Sequence, residues 1–286
     1  MSEKIIDMHM HTCYSDGELT PDQLITEAIS KNVGTMAITD HDTINGLKNI
    51  KGDYAGKIDV FNGIELSAQV PKGTMHILGH DVDINNQKLL DKMYELKNNS
   101  LQKILSIIEQ LKKDYNIIFD YEEIKELINA DHNLGRPDLA KLLLKRGLVT
   151  SVRDAFDRYL NDADKKVKGI NKKLTYQECL SILANSGAIP VLAHPKTLKL
   201  QYDELLSLLI EMKKNGLKGI EVYHSTHTEE ERRLYLSLAN KLDLLISGGS
   251  DFHGKIVKPD IEIGTGRNNN LKIKRLSLVD ELKNRR

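Results

Sequence analysis

The sequence predicts an α/β fold on a mainly parallel sheet, with a barrel favoured over an open doubly wound sheet and a helical subdomain inserted into it. Three observations lead there. Strand and helix signals alternate from Ile5 onward, purely helical periodicity fills the middle of the chain, and the alternation then resumes. At 286 residues the chain is long enough for one large domain carrying a smaller inserted one.

Lys4 to Met8 reads as a short buried strand. Thr20-Pro21-Asp22-Gln23 then opens a helix with an N-cap, a first-turn proline and a capping-box glutamine, and Leu24, Ile25, Ala28 and Ile29 form its apolar face. Strands follow over Thr35 to Thr39, within Ile58 to Leu66, and over Thr74 to Leu78. From Asn86 to about Asp164 the period is helical, with Leu89, Leu90, Met93 and Leu96 leading into Leu101, Ile104, Leu105, Ile108 and Leu111. This places an inserted subdomain at about 86–169, between barrel segments 1–85 and 170–286. Thr175-Tyr176-Gln177-Glu178 is a second capping box, followed by a helix and a strand over Ala188 to Ala193. Leu217 to Tyr223 is a strand, Thr228 caps a helix, and Leu244 to Ser247 is a strand ending in Gly248-Gly249. No nucleotide-cradling glycine signature follows any strand, which counts against dinucleotide and ATP chemistry.

Acidic and basic side chains balance at 41 each, so the chain lacks the excess of cations that a long DNA-binding surface needs. A small anion needs only a local positive site. The N-terminus has no apolar signal core and no later stretch approaches a membrane span, so a cytoplasmic protein without membrane contact is expected. The two cysteines, Cys13 and Cys179, are too few for a disulfide scaffold. Cys179 reads as a core residue, and Cys13 as a neutral neighbour of a histidine pair rather than a soft metal ligand.

The chemistry sits where strands end. His9 and His11 follow the first strand, Asp40-His41-Asp42 the second, Glu65 closes the third, and His76 lies on the fourth. His194 closes the Ala188 strand, and Asp251 and His253 follow the last one. In parallel α/β proteins these ends converge on one face. A His-x-His pair on a strand puts both imidazoles on one side, able to grip one metal, and a carboxylate such as Glu65 can bridge two ions. Each residue alone has a plain alternative: a strand-end histidine is more often packed or solvated than a ligand. Asp42 could N-cap a helix beginning at Thr43. His132 reads as a loop residue, His80 and His227 as ambiguous, and Lys165-Lys166-Val167-Lys168 as a solvated face. The joint placement of histidines and acids at strand ends is what packing alone does not explain.

His9-Met10-His11-Thr12, Ser15-Asp16-Gly17, Thr39-Asp40-His41-Asp42, Gly63-Ile64-Glu65, His76-Ile77-Leu78-Gly79, Ala193-His194-Pro195 and Ser250-Asp251-Phe252-His253 together resemble the motif series of the PHP (polymerase and histidinol phosphatase) superfamily. The resemblance implies a distorted (β/α)7 barrel with two or three divalent ions; neutral imidazoles with shared carboxylates suit Mn²⁺, Fe²⁺ or Zn²⁺ better than Mg²⁺, with Mn²⁺ the first expectation. By motif match, one ion takes His9, His11, Glu65 and Asp251, a second shares Glu65 with His76 and His194, and a third takes Asp16, His41 and His253. Asp40 and Asp42 stand behind these ligands. The implied nucleophile is a metal-bound hydroxide, with no protein nucleophile assigned.

Stand-alone members with a helical insert resemble the chain best. They imply nucleotide substrates, including nucleoside 3',5'-bisphosphates, or the 5' end of short RNA. The marker is Gly135-Arg136-Pro137, whose arginine would clamp phosphate through its planar fork, the alternative being a surface salt bridge at a helix start. Asp138 stands where the family pattern usually has His, which puts a second contact from the insert in doubt. The expected function is therefore phosphate release from nucleotides. A 5'-to-3' exoribonuclease, a histidinol phosphatase and a non-catalytic metal-binding regulator remain as alternatives, and the intact ligand set speaks against the last. Tyr223 or Phe252 would supply any base stacking.

Overall fold

In the computed structural model, which describes residues 3–128, 134–167 and 173–285, the strands form one seven-stranded sheet in the order β1 to β7. These are β1 (Ile5–Asp7), β2 (Val33–Ile38), β3 (Asp59–Ala68), β4 (Met75–His80), β5 (Ile189–Leu192), β6 (Gly219–His224) and β7 (Leu245–Gly249). His132 and Lys168 lie outside the described residues.

The sheet curls into a nearly closed barrel. Past the end of β1, Met8 N donates to Gly248 O at 3.1 Å, Asp251 N to His9 O at 2.8 Å and His11 N to Phe252 O at 3.0 Å, so the first and last strands meet. Gly249 is required there, because a Cβ would fall 2.4 Å from His9 N and 2.8 Å from Asp7 Oδ1. Alternate side chains point inward and fill the barrel: Ile6, Met8, Ala37, Phe61, Leu78, Ile189 and Val191 form one buried cluster.

All neighbouring strands are parallel except around β4, which runs antiparallel to both β3 and β5. This reversal brings the start of β4 to the face where the other strands end. Ser67 accordingly pairs with His76, and Glu65 with Leu78.

Capping explains the outer helices. Thr20 and its capping box start α1 (Pro21–Ser30), and the short α2 (Asn45–Lys48) follows β2. Thr175 and Thr228 start α8 (Tyr176–Asn185) and α10 (Glu229–Lys241) in the same way, with Glu178 and Glu231 closing the boxes. Two further helices were not anticipated, α9 (Tyr202–Lys214) and the C-terminal α11 (Ser277–Asn284). The latter packs Leu278, Val279 and Leu282 against the barrel filling, and Ser277 Oγ accepts from Ile246 N at 2.7 Å. A small hairpin, β8 (Ile261–Glu262) and β9 (Gly266–Arg267), precedes it.

Between β4 and α8 lie α3 (Gln87–Tyr115), α4 (Tyr121–Ile128), α5 (Arg136–Lys145), α6 (Val152–Ala155), a π-helical turn (Phe156–Leu160) and α7 (Asn161–Lys166). The 29-residue α3 belongs to two cores. Its first turns bury Leu89, Met93 and Leu96 with the barrel helices, whereas Ile104, Ile107, Ile108 and Leu111 pack with Leu139, Leu143, Leu160 and Ala163 of the insert. Burying both stripes fixes the insert over the barrel mouth, since each apolar contact removed from water stabilises the docked arrangement. Cys179 is fully buried in α8, as expected of a core cysteine.

Candidate metal centre and the adjoining cleft

The strand ends bring every candidate ligand into one group. His9 Nε2 and His11 Nε2 each lie 3.2 Å from Glu65 Oε2, and 3.6 and 3.4 Å from Asp251 Oδ1. The alternation that puts both rings on one side is held by Met10, whose backbone bridges to Phe252. Glu65 Oε1 faces His76 Nδ1 at 3.0 Å and His194 Nε2 at 2.9 Å, while Oε2 also faces His41 Nδ1 at 3.2 Å. Asp16 Oδ1 lies 3.1 Å from His253 Nε2, and its Oδ2 lies 4.0 Å from His41 Nε2. Two carboxylates, Glu65 and Asp251, thus sit at the centre of a ring of imidazoles.

The donor set fits divalent ions. Buried His9 Nε2, His11 Nε2 and Glu65 Oε2 point at one another without hydrogen-bond geometry, an arrangement that costs free energy unless a cation joins them. His11, Asp16, His41 and His253 offer atoms within 4.8 Å of one another, as do His9, His11, Glu65 and Asp251. The division implied by the motifs differs in three respects among the described residues: His11 also joins Asp16, His41 and His253; Glu65 and His76 group with His41, with His194 reaching them through Glu65; and His9, Glu221 and His224 form a further compact group. Cys13 belongs to none of these groupings among the described residues.

Electrostatics follow from this crowding. Burial disfavours a charged Glu65, but His41, His9 and His76 outweigh it and hold the carboxyl well below its usual range. Burial likewise opposes ionisation of Asp251, which Lys258 and His253 more than offset. Burial pushes His76 and His253 down to about 4, so both present neutral imidazoles, the form that binds metal.

Supporting contacts set the ligands. Asp40 Oδ1 accepts from Thr12 N at 2.7 Å and Ser15 Oγ at 2.6 Å, and its Oδ2 accepts from Thr12 Oγ1 at 2.7 Å, shaping the loop that carries Asp16. Asp42 does not cap a helix at Thr43. It adopts φ 51° and accepts from Ser67 N at 2.9 Å, while α2 begins two residues beyond Thr43. His194 and Asp251 also have positive φ, 22° and 57°, strained backbone at positions that aim side chains into the site.

Sequence reasoning missed three contributors. Glu221 on β6 is fully buried, its Oε1 2.9 Å from His9 Nδ1 and its Oε2 accepting from His194 N at 2.7 Å. Burial opposes its charge, yet His9 and His224 bring its carboxyl down to about 2. His224 Nε2 lies 3.2 Å from Asp251 Oδ2, which also accepts from Lys258 Nζ. A glutamate within the apolar strand Gly219-Ile220-Glu221-Val222 was the available signal, because a buried charge demands partners. The ambiguous histidines are both buried: His227 Nδ1 lies 2.9 Å from Val222 O, and His80 lies at the inner end of β4.

A cleft of about 500 Å³ opens beside the centre, lined by Asp16, His41 and His76 from the barrel and by Lys103, Arg136 and Phe156 from the insert. Arg136 faces this cleft and also makes the salt bridge considered as its alternative, 3.0 Å to Asp164 Oδ2, with its guanidinium 5.2 Å over the Phe156 ring. Asp138, in the place of the usual histidine, accepts from Gly135 N at 2.7 Å and so caps α5. Base stacking by Phe252 is overturned, since that ring is buried in the core, and Tyr223 packs against the barrel filling. Neither residue lines the cleft, whereas Phe156 does.

An α/β barrel whose strand ends gather histidines and bridging carboxylates beside a cleft of small-ligand size defines a metal-dependent hydrolase. The chain matches the PHP domain model over residues 7–175. It is 30% identical to the 5'-3' exoribonuclease Rnm of Escherichia coli over 91% of this chain and 88% of that protein. It is 26% identical to a 3',5'-nucleoside bisphosphate phosphatase of Chromobacterium violaceum, covering 87% of each. A solved structure from Bifidobacterium adolescentis, described as a metal-dependent phosphoesterase, superposes with a TM-score of 0.77 at 26% identity, covering 98% of this chain and 96% of that one. The chain belongs to the PHP domain family, and it is a metal-dependent phosphoesterase; the non-catalytic alternative falls. No helix among the described residues is long and apolar enough to cross a membrane.

Proposed function

We propose that the protein releases phosphate from nucleotides, with nucleoside 3',5'-bisphosphates preferred, and that it does so with two or three bound ions, Mn²⁺ first among them. The observation that carries this reading is the cleft of about 500 Å³ joining the candidate metal centre to Lys103 and Arg136, a volume suited to a small ligand rather than a long duplex. His9, His11, Glu65 and Asp251 would hold one ion, Glu65, His76 and His194 a second, and Asp16, His41 and His253 a third. Mixed imidazole and carboxylate donors suit Mn, Fe or Zn over Mg. When bound, such ions neutralise phosphoryl charge and supply an activated water.

The chain's own residues do the rest. Arg136 presents its fork to phosphate oxygens, Lys103 adds a second cation, and Glu221 keeps the His9 ring and the His194 backbone in register. A second reading, attack at the 5' end of short RNA, is favoured by the names of relatives at similar identity, including the Escherichia coli exoribonuclease. A side-by-side assay with Mn²⁺ would compare nucleoside bisphosphates, histidinol phosphate and 5'-phosphorylated RNA oligomers. Faster turnover of the bisphosphates is expected; faster consumption of short RNA would replace this reading with the second.

A further inference from the structure

The segment that follows the last candidate ligands is tied to the loop that carries Asp16. After Asp251 and His253 the chain makes a single α-turn, in which Lys258 N donates to Gly254 O at 3.0 Å. Such a turn, like the start of a helix, leaves its first backbone N–H groups without partners of its own. Glu18, two residues past Asp16, supplies them. Its Oε2 accepts from Lys255 N at 3.1 Å, and its Oε1 accepts from Val257 N at 3.1 Å and from Ile256 N. Gly254 permits this approach, because it has φ 98° and a Cβ there would fall 2.4 Å from Glu18 Cδ. Three consecutive N–H groups on one carboxylate hold the turn by charge-assisted hydrogen bonds.

The turn ends at Lys258, which reaches back to Asp251. Its Nζ donates to Asp251 Oδ2 and lies 3.4 Å from Asp251 O, while His224 Nε2 stands 3.2 Å from the same Oδ2. Asp251 Oδ1 is left facing the imidazoles, 3.3 Å from His253 Nδ1, 3.4 Å from His11 Nε2 and 3.6 Å from His9 Nε2. The two oxygens of one carboxylate thus have different duties. One meets a fixed cation of the chain itself, and the other meets the candidate metal ligands. The ammonium also offsets part of the negative charge that would attract an ion, so it weakens the grip of Asp251 while fixing its direction.

We propose that Glu18 and Lys258 are positioning residues for the metal centre: the turn capped by Glu18 holds Lys258 on Asp251 Oδ2, so that Asp251 meets an ion through Oδ1 alone and with reduced charge. The proposal rests on the metal-centre reading above. A carboxylate free at both oxygens can close on one ion and fill a position that catalysis needs open; a carboxylate held at one oxygen leaves that position for water or substrate. Losing Lys258 should therefore tighten the ion and slow the reaction together, a combination that loss of mere structural support would not produce.

The test is calorimetric titration of Mn²⁺ into the metal-free full chain, paired with phosphate release by the metal-loaded protein. Lys258→Met should bind Mn²⁺ about 10-fold more tightly at one site and turn over about 10-fold more slowly, because a repelling charge is gone and the second oxygen is released. Glu18→Gln, which keeps the side chain's size but not its charge, should shift both quantities in the same directions by about threefold. Lys258→Arg should keep the wild-type affinity. Since Glu18 acts through Lys258, adding Glu18→Gln to Lys258→Met should change neither quantity further, whereas independent contributions would add. Weaker Mn²⁺ binding in these variants, or additive effects in the double variant, would overturn the proposal. Should Lys258→Met fail to fold, Glu18→Gln decides: tighter Mn²⁺ binding supports the proposal, and unchanged or weaker binding overturns it. No Mn²⁺ uptake by the wild-type chain would instead overturn the metal-centre reading on which the proposal stands.

Discussion

The barrel and the insert face one cleft with opposite means of handling charge. On the barrel side, Glu65 and His9 are fully buried and Asp251 nearly so, fixed by strand ends, by a bridging backbone and by supports such as Asp40 and Glu221. On the insert side, Lys103 and Arg136 are partly exposed, carried on helices and paired with a single carboxylate. The difference is one of commitment. Buried donors without hydrogen-bond partners are costly until an ion completes them, so the barrel is built for permanent residents. Partly exposed ion pairs contribute little stability and exchange readily, which is the behaviour the proposed role of the insert, meeting a ligand that comes and goes, would need.

Removing the permanent residents should have the largest effect. Chelation of the purified protein is expected to cut phosphate release about a thousandfold or more, with recovery on adding Mn²⁺, and elemental analysis beforehand should find more than one ion per chain. One ion or none in protein that is fully active without added metal would break the barrel half of the comparison. His9→Ala, which removes a donor shared between Glu65 and Asp251, should lower turnover by at least about 100-fold while circular dichroism keeps its native form. Near-normal turnover would show that His9 packs rather than ligates.

The insert should respond differently. Arg136→Ala is expected to leave metal content unchanged and to cost about 1.5 to 3 kcal/mol of transition-state binding, roughly 10-fold to 150-fold in kcat/KM. A loss of metal in that variant would erase the distinction between the two walls. Glu221→Gln tests the barrel from behind: it keeps the shape but removes the charge that faces His9, and a drop of roughly 10-fold to 100-fold should appear mainly as weaker metal affinity in a Mn²⁺ titration.

The two walls were unequally legible in the sequence. The clustering of the candidate barrel ligands could be read because a strand imposes alternation, so His9 and His11 must share a side, and because parallel strands end on one face. His76 was found for an incomplete reason. It reaches the site because β4 is reversed and begins there, and nothing local in Thr74 to Leu78 states a strand's direction. Glu221 was hidden inside an apolar strand and was passed over with its neighbours. On the insert, helical period identified the buried stripe of α3, but the polar faces of helices carry no record of what they meet. Lys103 and Asp164 were therefore indistinguishable from solvated charges until their helices were placed.

The smallest effect is expected at the seam between the walls. Lys141 of α5 reaches across to the loop after β1, its Nζ 3.3 Å from Asp16 O and 3.5 Å from Gly17 O. Both hydrogen bonds are long, and both acceptors are backbone groups of the segment that carries Asp16, a proposed ligand of the third ion. If the walls act independently, Lys141→Met should alter turnover by no more than about threefold, the range of a long, partly buried hydrogen bond. It should also leave the Mn²⁺ dependence of the remaining activity where it was. If insert docking sets the Asp16 loop, the same variant needs more Mn²⁺ for half-maximal activity while its KM for a nucleoside bisphosphate stays near wild type. Titrating Mn²⁺ at saturating substrate separates these outcomes. A shifted metal dependence would mean that the insert, besides its proposed contact with substrate, helps to position the loop that carries a proposed metal ligand.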